Sequence, residues 1–121
     1  MARIFEHQRK STLALRRRKQ ALLQQLRPPS DLLRASCVEQ FLTCGKAACA
    51  CHQGHRHGPY YYLTVCLGVG RVRKFLLKTA DQQRQARTGT AAYAEFAEHL
   101  EELSQINVEL LRRGEALAAQ P

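Results

Sequence analysis

Apolar runs long enough to cross a bilayer are missing from this sequence. The longest, around Tyr60 to Leu67 and Phe75 to Leu77, fall far below the roughly 18 residues a spanning helix needs. The opening MARIFEHQRK has neither an apolar stretch nor a small-residue cleavage site, so it does not read as a secretion signal. The expected location is the cytoplasm, with no membrane partner. Internal repeats and extended low-complexity tracts are absent too. So are a Ser-His-Asp pattern and a phosphate-cradling glycine loop, and catalysis is not expected.

Acidic residues are scarce over most of the chain. Residues 1–90 hold 17 basic and 4 acidic side chains, whereas residues 91–121 hold 2 and 6. A basic body points to a polyanionic partner, and an acidic terminal segment points to a protein or internal partner for the basic stretch. At 121 residues and 45% hydrophobic content the chain fits one domain with a modest core, which a metal would help to hold.

The segment from about residue 3 to 27 contains no Gly or Pro until Pro28 and Pro29 stop it, and predicts a single long basic helix. Its inner face is expected to run through Ile4, Gln8, Thr12, Leu15, Lys19, Leu22 and Leu26. Strand-like runs follow at about 35–43, 60–67 and 71–77, the last two joined by Gly68, Val69 and Gly70. From Thr79 a second long helix is expected, capped by Thr79 or Asp81 and kinked or split at Gly89 and Thr90. Its seam is read through Phe96, Leu100, Leu103, Asn107 and Leu110, packing acid against base on the first helix. The fold class is therefore α+β: a long N-terminal helix (1–29), a three-stranded antiparallel meander (30–78) and a long C-terminal helical segment (79–121) antiparallel to the first, in one compact domain.

Three of the five cysteines crowd into eight residues beside histidines, which is metal-ligand spacing and not a disulfide framework. The stretch TCGKAACACHQGHRHGPYYYL offers Cys44, Cys49 and Cys51 as thiolates and His52, His55 and His57 as imidazoles. Zinc takes four such ligands in a tetrahedron. Gly45 would turn backbone amides toward sulfur, and Lys46 would offset thiolate charge. His57, directly before Gly58-Pro59, is the expected fourth ligand, with His55 as the alternative, since His52 stands too close to Cys51. A closed site of this kind leaves no position for water and is structural. A redox-active thiol cluster is the competing reading. Cys37 and Cys66 read as small buried hydrophobes.

The pattern CGKxxCxC, five residues, then HGPYYYL, a glycine turn, a basic strand and a long helix with INVELL near its end resembles the bacterial family DUF6788 over about residues 33–111. In that family three cysteines and the histidine before Gly-Pro recur, which the resemblance carries to Cys44, Cys49, Cys51 and His57 as Zn2+ ligands. Here Ala47 and Ala48 stand where the family often has Pro and Gly or Asn, and His52 and His55 are additional. Members are often encoded near mobile elements, so the resemblance also implies a link to a mobile-element or DNA-processing system.

The expected function is non-catalytic nucleic-acid binding, DNA ahead of RNA. Arg71 and Arg73 share a strand face, Lys74 flanks them, and Tyr60 and Tyr62 share a face from which they can stack on bases. Arg16, Arg17, Arg18 and Lys19 supply further positive charge. The alternative is a coiled-coil interaction module, either docking on a transposase or recombinase-type partner or forming a homodimer through the helices, with Asn107 setting register.

Overall fold

The computed structural model describes the backbone of residues 3–118 and the side chains of residues 6–118. The expectation for Ile4 lies outside the described side chains. The elements are α1 (Arg3–Gln8), α2 (Thr12–Gln25), β1 (Ser36–Leu42), a 3-10 turn (Ala50–Gln53), β2 (His57–Gly68), β3 (Arg71–Leu76) and α3 (Ala80–Arg112). They divide into two compact units, Met1–Pro29 with Ala94–Pro121, and Ser30–Tyr93; α3 contributes to both. Among the described residues no helix is long and apolar enough to cross a membrane.

The helical unit departs from the expected long N-terminal helix, because the chain breaks after α1. Ser11 caps α2 by accepting from the Ala14 amide at 3.1 Å. The guanidinium of Arg113 donates to the carbonyl oxygens of His7, Gln8 and Lys10, which end or follow α1; the His7 carbonyl also accepts from the Lys10 amide at 3.2 Å. A good cap on one side and a cation on the open carbonyls of the other make two helices more stable than one.

α2 and the second half of α3 then pack antiparallel. Leu15, Leu22, Ile106 and Leu110 are fully buried in one cluster with Leu103 against it, each contributing roughly 2 kcal/mol. The direction is fixed by Thr12 accepting from Arg113 at one end and Arg18 gripping Glu102 at the other. The seam keeps Leu103 and Leu110 of the expected row but takes in Ile106 in place of Asn107, and Leu100 is left exposed. Ile106 and Asn107 are neighbours at helical spacing from Leu103 and Leu110, and the aliphatic one is the one buried against α2.

In the second unit β1, β2 and β3 form an antiparallel sheet in that order. Alternation turns Tyr61, Leu63 and Val65 toward a small core with Leu77, Ala86 and Ala35. Thr79 and Gln82 cap α3 reciprocally: the Gln82 amide donates to Thr79 Oγ1 at 3.0 Å, and Gln82 Oε1 accepts from the Thr79 amide at 3.3 Å. α3 is continuous through Gly89, contrary to the expected kink. Gly89 serves close packing instead, since a Cβ there would stand 2.5 Å from the Asp31 carbonyl oxygen and 2.8 Å from Leu33. Within the helix Thr90 donates its hydroxyl to the Ala86 carbonyl at 2.9 Å. Cys37 and Cys66 are exposed rather than buried. Cys37 lies on the edge strand β1, and alternation along β2 turns Cys66 away from the Leu63 and Val65 core face.

Candidate metal centre

Four side chains converge where β1 ends and β2 begins. Cys44 follows β1, Cys49 precedes the 3-10 turn, Cys51 lies within it, and His57 opens β2 opposite Leu42. The local path is set by short turns: the Cys49 amide donates to the Lys46 carbonyl at 3.1 Å, and the His52 amide to the Cys49 carbonyl at 3.2 Å. Gly58 lets the two strands close on this loop. Its φ of 134° is open to glycine, and a Cβ there would meet the Gln40 carbonyl oxygen at 2.8 Å.

The ligand atoms of Cys44, Cys49, Cys51 and His57 all lie within 4.8 Å of one another. Cys44 Sγ is 3.6 Å from Cys51 Sγ, and Cys49 Sγ is 3.4 Å from His57 Nε2. A tetrahedral ion with bonds of about 2.3 Å to sulfur and about 2.1 Å to nitrogen needs edges of roughly 3.5–3.8 Å. The Cys3His set therefore fits a metal ion with little rearrangement. His52 and His55 are not part of the group. Backbone amides do reach sulfur: that of Cys44 donates to Cys51 Sγ at 3.3 Å, and that of Cys51 to the Cys49 thiol.

The protein groups alone already divide the thiols. The Cys51 backbone N–H, then the Cys51 and Cys44 thiols and His57, lower the Cys49 thiol to about 7. For Cys51 the Cys44 N–H favours the thiolate, but burial and the neighbouring Cys49 and Cys44 sulfurs outweigh it and leave that thiol raised. Crowded sulfurs with amide donors are the electrostatic setting in which a cation stabilises all the thiolates at once.

The family model described as domain of unknown function (DUF6788) matches residues 12–89, well over half of the chain. The chain belongs to the DUF6788 family. No curated protein and no solved structure matches it. The DUF6788 segment contains all four clustered residues, begins earlier than the motifs alone suggested, and ends within α3. Asn107, Leu110 and Leu111 in INVELL therefore lie beyond it.

The remaining sequence-predicted residues are scattered over this DUF6788 chain. Arg16 pairs with Glu115 at 3.0 Å, Arg18 with Glu102, and Lys19 donates to the Leu117 carbonyl, so three of the four basic residues on α2 turn to the acidic C-terminal segment. Arg17 is exposed.

On the sheet, Tyr60 and Tyr62 share a face as expected from alternation. Arg71 and Arg73 do not lie on it. A bulge between Cys66 and Gly68 shifts the register, so Val65 faces Arg73 while Thr64 faces Lys74 and Tyr62 faces Leu76. Lys74 joins the tyrosines, its Nζ 4.2 Å from the centre of the Tyr62 ring, and it also bonds Gln40. The sequence flagged Lys74 only as flanking charge. Its place beside Tyr62 could be found only by locating the bulge, which Gly68 hints at.

Proposed function

We propose that this protein is a non-catalytic, zinc-stabilised nucleic-acid-binding module. The observation that carries the metal half is the Cys3His cluster at tetrahedral spacing. Three sulfurs and one imidazole select zinc over hard cations, and four protein ligands leave no open position for water or substrate. Zinc would tie the loop after β1 to the start of β2 and so hold a sheet whose own core is small.

The binding half is supported by charge and by the exposed sheet. The unit Ser30–Tyr93 contains nine basic and three acidic side chains. Its face away from the Leu63 core presents Tyr60, Tyr62 and Lys74, and β3 is an edge strand with Arg71 and Arg73 exposed on the other side. Tyr60 offers a stacking surface, Lys74 and the two arginines offer phosphate contacts, and DNA is the favoured ligand over RNA. Arg16, Arg18 and Lys19 are engaged within the helical unit and are not assigned to the interface. A role supporting a mobile-element or DNA-processing protein belongs to this reading. The exposed apolar stripe on α3 favours protein docking as a second reading.

Fluorescence anisotropy with single- and double-stranded DNA and RNA oligonucleotides tests the proposal. Affinity should fall steeply with salt, and Lys74→Ala should reduce the slope of log K against log salt by about 0.9 on duplex. Tyr60→Ala should weaken single-strand binding by roughly 1–3 kcal/mol. Absence of binding to all four ligands at about 50 mM salt, where phosphate contacts are strong, would sink it.

A further inference from the structure

Between residues 100 and 111 α3 has two apolar rows, and only one is covered. Leu103, Ile106 and Leu110 meet α2. The other row leaves Leu100 46%, Val108 52% and Leu111 63% exposed. With Leu103, Ser104 and Asn107 these residues line an open groove of about 320 Å3, edged by Leu117. Three large aliphatic side chains on one helical stripe forgo roughly 1.5–3 kcal/mol each in water.

The row is a palindrome. Leu100, Ser104, Asn107 and Leu111 step by four, three and four, and the midpoint falls between Gln105 and Ile106. About that point Leu100 mirrors Leu111, Leu103 mirrors Val108, and Ser104 mirrors Asn107. Two copies laid antiparallel would therefore place leucine on leucine at both ends and serine against asparagine at the centre.

Charge selects the same orientation. Residues 94–105 carry four glutamates and neither lysine nor arginine, whereas in residues 106–115 Glu109 and Glu115 balance Arg112 and Arg113, with Arg112 paired to Glu109. Antiparallel packing lays the acidic end on the neutral one and opposes the helix dipoles, whereas parallel packing lays the two acidic ends together. We infer that α3 is the interface of an antiparallel homodimer, closed by a two-fold axis near Gln105 and Ile106. The stretch is only about 16 Å long, short of a standard interface, so association in the micromolar range is expected. This inference is independent of the metal and of nucleic-acid binding.

Sedimentation of the full chain across a micromolar concentration series should show a reversible monomer–dimer equilibrium. Leu111→Glu should abolish it while the helical circular dichroism is kept, since that side chain supports no core within the chain. A photo-crosslinking phenylalanine analogue at position 100 should form a dimer crosslink that fragment mass spectrometry places near Leu111. A wild-type protein that stays monomeric throughout overturns the proposal, as does a dimer unaffected by Leu111→Glu. A crosslink to position 100 of the other copy would mean a parallel pair. A crosslink confined to one chain would mean that the groove is filled from within, and either result also overturns it.

Discussion

Arg113 donates to the carbonyl oxygen of Lys10 at 2.7 Å, so a side chain just beyond α3 closes the gap between α1 and α2. The same guanidinium reaches the carbonyls of His7 and Gln8, Thr12 Oγ1 and the carboxylate of Glu109. One planar group thus bonds the acceptors at the end of α1 and ties the helical pair together.

Replacing Arg113 with Ala should destabilise the protein by about 2–3 kcal/mol, because several charge-assisted hydrogen bonds disappear together. Arg113→Lys should recover only a minor part, since an ammonium cannot span the carbonyls and the carboxylate at once. Urea unfolding followed by circular dichroism measures both. A loss below about 0.5 kcal/mol for the alanine variant, the size of an ordinary surface change, would mean that the break is held by Ser11 alone.

Glu109 gives a pH dependence with a defined sign. Hydrogen bonds from Arg112 and then Arg113 hold its carboxyl at about 2, against an ordinary 4.5. A depressed folded-state value means that the stabilisation is complete above the ordinary value and is lost as pH falls from about 4.5 toward 2. Thermal melts of the wild type and Glu109→Gln should therefore differ most near neutrality and converge over that window. Curves that stay parallel down to pH of about 2 would remove Glu109 as the acid-labile contact.

Metal content separates the ligand from its neighbours. Purified protein should contain one zinc per chain by elemental analysis, and Cys49→Ser, Cys51→Ser and His57→Ala should each lose it along with several kcal/mol of apparent stability. His55→Ala and His52→Ala should retain it. Retention in His57→Ala with loss in His55→Ala would show that the loop rearranges when the ion binds.

The sequence alone determined a good deal of this. Pro28 and Pro29 end a helix, Thr79 begins one, Gly70 closes a hairpin, and the short-range crowding of Cys44, Cys49 and Cys51 before His57-Gly58-Pro59 marks a group that could hold a metal ion, because each depends on neighbours within a few residues. Other features depended on partners far along the chain. The break after α1 depends on Arg113, about a hundred residues away. The place of Gly89 within α3 depends on the Asp31 carbonyl and the Leu33 side chain packing where a Cβ would stand.

The choice between two equally periodic rows on α3 was made by what α2 could cover, and Ile106 was taken inward in preference to Asn107. The face on which Lys74 and Arg73 lie was decided by a one-residue bulge at Cys66 and Gly68. In a strand of period two, such a slip exchanges every side chain between the core and the solvent.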